Sequence, residues 1–172
     1  MRFFVIFPLT VIAAMLSVAV LGYRLNMTAS LPLGVYRQVG VIRRGSFALF
    51  CLDDEAFIRL AKERGYLGEG RCPGGVKQLG KKIFALTGDE ISFSGGPGGQ
   101  IAVNGQFIPA SLAKKQDSHG RAMLATRLAA GRIPPGLALM LSPHHAGGFD
   151  SRYFGLVKLS ALKPVQPVFI WE

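Results

Sequence analysis

Acidic side chains are scarce in this chain. Its 172 residues carry 10 Asp+Glu against 20 Lys+Arg, a formal net charge of +10. Such an excess suits an anionic partner, either nucleic acid or a lipid surface. The cations are scattered, with Arg37, Arg43, Arg44, Lys62, Arg64, Lys77, Lys114 and Lys115 spread along the chain. There is no long basic run and no aromatic-basic interleaving of the RNA-binding kind, so nucleic acid is not an expected partner. A domain held against phospholipid headgroups explains the charge more simply. Cysteine is limited to Cys51 and Cys72, with no CxxC and no neighbouring histidine, which leaves no zinc-type motif. Histidine is limited to His119, His144 and His145. Adjacent histidines on a strand point to opposite faces, so His144 and His145 read as a surface pair. The glycine-rich turns contain no Gly-Lys-Ser/Thr and no strand-to-helix GxGxxG arrangement, which removes support for phosphate binding. No internal repeat, metal ligand set or cofactor motif is present.

Charge is missing altogether from residues 3–22, an uncharged run of 20 residues. As a helix it would span roughly 30 Å, the thickness of a bilayer core. A cleaved secretory signal is the rival reading, with Ser17-Val18-Ala19 as a small-residue cleavage site. The run is longer than the usual apolar segment of about 7–15 residues, which favours a retained anchor. Either reading exports the remainder of the chain. In an oxidising compartment Cys51 and Cys72 would pair, and a loop of this size is worth about 3 kcal/mol in the chain-entropy model. In a reducing compartment they are two small apolar residues.

The rest of the chain is rich in strand patterns. Residues 34–41 and 46–51 read as strands around a basic turn. Asp53 and Asp54 can cap a short helix over 55–64, followed by a glycine-rich loop around Cys72. Residues 79–86 form an apolar run and 90–93 begin another strand. Asn104-Gly105 suits a type I′ hairpin between 101–103 and 106–108. A short helix is expected near 122–130 and a buried strand at 136–142. Residues 161–171 read as a last strand whose Pro164 and Pro167 suit an edge position.

Chemistry centres on residues 26–36. Ser30 follows Thr28 by two positions, and Pro32 biases Leu31 away from helix, so Ser30 sits in extended or turn backbone. A hydroxyl so placed can serve as a nucleophile if a base is near. The plain alternative is a polar linker. No histidine stands in a triad motif and no Gly-x-Ser-x-Gly elbow occurs, which leaves lysine as the candidate base. Lysine acts so only when burial lowers its pKa toward neutrality. Lys81 and Lys82 interrupt the apolar strand 79–86. On a strand they face opposite sides, so one can point inward; the alternative is that both are solvated on an edge strand as protection against aggregation.

The pattern Asn26-x-Thr28-x-Ser30-x-Pro32-x-Gly34-x-Tyr36 resembles the nucleophile box of the TraF-type conjugative-transfer peptidases, members of the signal peptidase I superfamily of Ser–Lys proteases. Lys81-Lys82-Ile83-Phe84-Ala85-Leu86-Thr87-Gly88-Asp89 resembles the superfamily's lysine box. Asp150-Ser151-Arg152-Tyr153-Phe154-Gly155 resembles its C-terminal box. The order and spacing of the three boxes agree, as do the N-terminal apolar run and the two cysteines before the lysine box.

The resemblance implies a mainly β, signal-peptidase-like sheet or barrel domain with a short helix, preceded by one transmembrane helix. Residues 1–23 would be the anchor and 24–172 a periplasmic serine peptidase domain at the bacterial inner membrane, with a Cys51–Cys72 disulfide. It implies Ser30 as nucleophile, Lys81 as general base, Thr28 as an oxyanion donor, and Asp150 and Arg152 as supporting residues. Two departures stand out. Gly148 lies where many relatives have a serine that orients the lysine, and Thr87 replaces the usual proline. The implied substrate is an exported precursor with small residues before the scissile bond. In the TraF branch this is a pilin or another conjugation component, and the acyl-enzyme there can pass to the substrate's own amino terminus. The competing readings are a general signal peptidase I and a non-catalytic, membrane-anchored scaffold of a secretion apparatus.

Overall fold

A computed structural model describes residues 21–28, 30–142 and 147–171. The apolar run expected as a transmembrane helix and the His144–His145 pair lie outside these residues. Among the described residues no helix is long and apolar enough to cross a membrane.

Strands dominate. In chain order they are β1 (Tyr23–Asn26), β2 (Gly34–Gln38), β3 (Phe47–Phe50), β4 (Leu79–Leu86), β5 (Glu90–Ser94), β6 (Gln100–Val103), β7 (Gln106–Phe107), β8 (Gly131–Arg132), β9 (Leu137–Leu141), β10 (Val157–Lys158) and β11 (Lys163–Ile170). Among the described residues two α-helices interrupt them, α1 (Glu55–Glu63) and α2 (Ser151–Phe154). The strands form an antiparallel sheet of seven, ordered β1-β2-β11-β3-β4-β9-β10, and a second sheet of four, ordered β7-β6-β5-β8. The mainly β expectation is met. The Asn104-Gly105 hairpin is also met, with both residues at positive φ (50° and 80°) as a type I′ turn requires.

Strand β4 shows how sequence period becomes burial. Its residues alternate buried and half-buried, so Leu79, Lys81, Ile83 and Ala85 share the inward face. It lies between β3 and β9, inside the large sheet, and not at an edge. Lys81 is therefore only 3% exposed. Lys82 faces the other way, with Nζ 5.5 Å from the centre of the Phe84 ring.

Helix α1 begins where Asp54 accepts hydrogen bonds from the Ala56 and Phe57 amides, at 3.0 and 3.1 Å. It buries Phe57, Ile58, Leu60 and Ala61 in the core that also holds Phe50, Phe149 and Phe154. Burying a large apolar side chain contributes about 1.5–3 kcal/mol. The Cys51–Cys72 disulfide closes the loop that contains α1. Cys72 is itself buried in that core.

Two local expectations are corrected. Residues 122–130 are not helical. They pass α2 as irregular chain, where the Arg127 amide donates to the Tyr153 carbonyl and the Thr126 hydroxyl to the Arg152 carbonyl. Strand β11 is not an edge strand but lies between β2 and β3. Its ladder to β3 covers Lys163–Val165 and its ladder to β2 covers Val165–Ile170, with a register shift between Pro167 and Phe169. Each proline thus falls in only one of the two ladders, and its missing N–H leaves at most one side unpaired.

Candidate active site

The chain between β1 and β2 is a loop organised by one side chain. Asn26 Nδ2 donates to the carbonyls of Thr28, Leu31 and Pro32 at 2.9, 3.0 and 3.0 Å. Its Oδ1 accepts from the Thr28 hydroxyl at 2.8 Å and the Thr28 amide at 3.3 Å. Thr28 Oγ1 is in turn 2.9 Å from Ser30 Oγ. The Tyr36 hydroxyl closes the loop's far end by donating to the Pro32 carbonyl at 2.8 Å. Gly34 is needed because β11 passes close: a Cβ there would lie 2.2 Å from the Phe169 carbonyl oxygen. Gly80 leaves room for Leu31, whose Cδ1 would be 2.9 Å from a Cβ at that position. The alternating Asn, Thr, Ser, Pro, Gly and Tyr thus each have a physical part in shaping one turn against β4.

On the other side of the turn lies Lys81. Its Nζ donates to Ser142 Oγ at 2.6 Å. Ser142 comes directly after β9, and its amide donates to Asp150 Oδ2 at 2.9 Å. Asp150 caps α2 through the Arg152 amide and holds the Arg152 guanidinium with both oxygens, from Nε and Nη2, each at 2.8 Å. That guanidinium also donates to the carbonyls of Gly148 and Ala110, at 3.0 and 3.1 Å. Asp150, Ser151 and Arg152 are all buried. The unbroken sequence of contacts runs from Arg152 to Asp150 to Ser142 to Lys81.

Burial lowers the Lys81 pKa from its ordinary 10.5 to about 8, with the Asp150 charge opposing the shift and Arg152 adding to it. At that value about a tenth of Lys81 is the free base at pH 7. Arg152 is pushed the other way: desolvation would lower its pKa, but the hydrogen bonds and charge of Asp150 outweigh it and hold the guanidinium charged.

Ser30, Thr28, Lys81 and Ser142 all line one cleft of about 1170 Å³, together with Leu79, Tyr153 and Met123. Ser30 Oγ and Lys81 Nζ share this cleft but are not hydrogen-bonded to each other among the described residues. Asp150 and Arg152 stand behind Lys81 and not in the cleft lining. Cys51 and Cys72 lie away from it, under α1. Among the described residues no group of three or more His, Cys, Asp or Glu could hold a metal ion. Ser142 is the site neighbour that motif reading missed. Its signal is positional: β4 and β9 pair with Lys82 opposite Leu141, so one further antiparallel step sets Ser142 opposite Lys81.

A buried lysine and a half-buried loop serine thus line one cleft of a β-domain. The chain belongs to the family described as signal peptidase, peptidase S26, which it matches over residues 1–171. It is 38% identical over 156 residues to the conjugal transfer protein TraF of Agrobacterium fabrum, covering 88% of this chain and 84% of that one. It is 33% identical over 152 residues to a plasmid transfer protein TraF of Escherichia coli, covering 87% and 84%. A signal peptidase I structure from Enterococcus faecalis V583 aligns with a TM-score of 0.43 at 16% identity, covering 74% of this chain and 98% of that one.

Proposed function

We propose that this protein is a membrane-anchored serine endopeptidase in which Ser30 is the nucleophile and Lys81 the general base. The observation that carries this reading is Lys81, a buried lysine with its pKa lowered to about 8, lining the same cleft as Ser30. A lysine is rarely buried, and perturbed pKa values in clefts cluster at functional sites.

In the reaction, neutral Lys81 takes the proton of Ser30, and Oγ attacks the scissile carbonyl. The tetrahedral oxyanion is met by the Ser30 amide and the Thr28 hydroxyl, each such donor being worth about 2.7–4 kcal/mol. For this the Thr28 hydroxyl turns away from Asn26. The ammonium of Lys81 then returns the proton to the leaving amine. The acyl-enzyme is resolved by water or an amine. Asp150 and Arg152 support Lys81 through Ser142.

The substrate on this reading is an exported precursor, the propilin of a conjugative apparatus, cut at the outer face of the bacterial inner membrane. The names of the relatives support the conjugation role. Support for a membrane setting comes from the uncharged residues 3–22 and from the outer face beside β1. There Leu25 and Phe169 both pair with Val35, and they are 64% and 62% exposed. The test is precursor cleavage by Ser30→Ala and Lys81→Ala, made separately in the full chain. Each is expected to abolish processing. Processing by both variants would end the Ser–Lys reading, and accumulated precursor in cells lacking the protein identifies the substrate.

A further inference from the structure

The lysine of this site is held by a hydroxyl from an unexpected place. Resting on the Ser–Lys reading, we propose that Ser142 is the positioning residue of Lys81, and that the bare backbone at Gly148 supplies the space this role requires.

Three observations carry it. Ser142 Oγ accepts from Lys81 Nζ at 2.6 Å, and both residues are 3% exposed. An amine that spends one N–H on a fixed acceptor can no longer spin freely, and its lone pair is left for the cleft that Ser30 lines. Second, Ser142 is itself immobilised. Its amide is tied to Asp150 Oδ2, and it extends the β4–β9 register by the one step that sets it opposite Lys81. The hydroxyl is therefore mounted on the residue directly after a sheet strand, a rigid support. Third, positions 142 and 148 compete for one volume. A Cβ on Gly148 would lie 2.7 Å from Ser142 Cβ, 2.8 Å from Ser142 Oγ and 3.0 Å from Arg152 Nη2. Two of those atoms are the hydroxyl-bearing side chain itself, which has no room to retreat between β4 and Asp150. A side chain at 148 would thus displace Ser142, and a side chain at 142 requires glycine at 148. The two positions share one volume, and the double variant below tests a hydroxyl moved from 142 to 148.

This assignment explains how Asp150 and Arg152 act at a distance. Neither touches Lys81 directly. Asp150 fixes the Ser142 amide, and Arg152 fixes both Asp150 and the Gly148 carbonyl. The buried ion pair therefore shapes the very space in which the 142 hydroxyl stands.

The test uses the full chain in detergent and a quenched fluorescent peptide with alanine at the first and third positions before the bond. Lys81 is followed in parallel by the ¹³Cε shift through a pH titration. Ser142→Ala is expected to lower kcat by about 10²-fold, the scale of a small misplacement of a reacting group, with KM little changed. Its Lys81 midpoint is expected to fall below that of the parent, because the ammonium loses an acceptor. Ser142→Gly is expected to be as poor, and the double variant Ser142→Gly with Gly148→Ser to regain most of the lost kcat and the parental midpoint. Parental kcat and midpoint in Ser142→Ala would overturn the proposal, as would a double variant no better than Ser142→Gly alone. Cleavage by Lys81→Ala would overturn the Ser–Lys reading and this role with it. Loss of cleavage in Lys81→Ala but not in Ser142→Ala would overturn this role alone.

Discussion

Ser30 Oγ and Thr28 Oγ1 stand 2.9 Å apart, and the hydrogen bond between them runs from Ser30 to Thr28. The direction is set by Asn26. Its Nδ2 is surrounded by three carbonyls, which fixes the amide so that Oδ1 faces Thr28. A carbonyl oxygen only accepts, so the Thr28 hydroxyl donates to it and is left with lone pairs for Ser30. The Ser30 proton is therefore directed to Thr28, and in the proposed reaction the Ser30 hydroxyl must turn from Thr28 to Lys81. Asn26→Asp puts a carboxylate against three carbonyl oxygens and removes the donors that hold the turn. Each lost hydrogen bond costs about 0.5–1.5 kcal/mol. The expected outcome is a marked loss of precursor cleavage with the melting temperature lowered, whereas Thr28→Ser keeps the hydroxyl and most of the activity. Parental cleavage by Asn26→Asp would show that the loop does not depend on this amide.

Lys81 gives a prediction with a definite sign in pH. Its folded pKa of about 8 lies below the ordinary 10.5. Between those values the unfolded chain holds a proton that the folded one has released, so this residue's contribution to stability rises with pH across that window. Below about 8 the folded state carries the full cost, on the order of 3 kcal/mol. Lys81→Met removes it. The variant should be inactive yet melt higher than the parent at pH 7, and its advantage should shrink as pH climbs from 8 to 10.5. In the parent, kcat/KM should rise with pH and level off above about 8 as the free base becomes the main form. A constant difference in melting temperature from pH 6 to 10 would mean that Lys81 is not the depressed group.

A strand's period of two implies that Lys81 and Lys82 face opposite sides of β4, but the strand pattern alone also allows both to be solvated at an edge; the choice of Lys81, and of Ser30 as its partner, comes from the resemblance of the three boxes. The missed features depend on partners far along the chain. Residues 122–130 are rich in alanine and leucine, good helix formers, yet the Arg127 amide bonds the Tyr153 carbonyl, the Met123 amide the Lys115 carbonyl and the Thr126 hydroxyl the Arg152 carbonyl. Tertiary contacts there outweigh a preference of a few tenths of a kcal/mol per residue. Pro164 and Pro167 argued for an edge because each lacks a donor. The strand resolves this by changing neighbours partway along its length, which only the sheet order reveals. Ser142 was invisible for the same reason: its importance lies in the β4–β9 register, and no local motif encodes a register.

The disulfide should matter for stability more than for chemistry. It closes the loop holding α1 and buries Cys72 beneath that helix, but neither sulfur lines the cleft. Cys51→Ala with Cys72→Ala should lower stability by about 3 kcal/mol, measured by denaturant unfolding. Once folded, the variant should keep the parental pH dependence of cleavage, since Lys81 hangs from β4, Ser142 and Asp150. A shifted pH profile would mean that α1 helps to desolvate the lysine.

The outer face of β1, β2 and β11 offers a built-in probe for the membrane. Leu25, Val35 and Phe169 form one cross-strand row, and directly paired side chains project from the same face of a sheet. Arg37, opposite Tyr23, adds a cation to that face one row along. Trp171, the only tryptophan in the chain, lies at its end, with its amide bonded to the Leu33 carbonyl and its ring 5.9 Å from that of Phe169. Tryptophan favours the interfacial zone of a bilayer, where its ring is buried and its N–H stays wet. If this face rests on lipid, full-chain protein in phosphatidylglycerol-containing vesicles should show blue-shifted Trp171 emission that brominated acyl chains quench. Leu25→Ser with Phe169→Ser should weaken the quenching while leaving the N-terminal run intact. Emission at the wavelength of a water-exposed indole, unquenched by brominated lipid, would hold the domain clear of the bilayer. The cleft would then have to meet its substrate at a height set by the residues between position 22 and Ser30 alone.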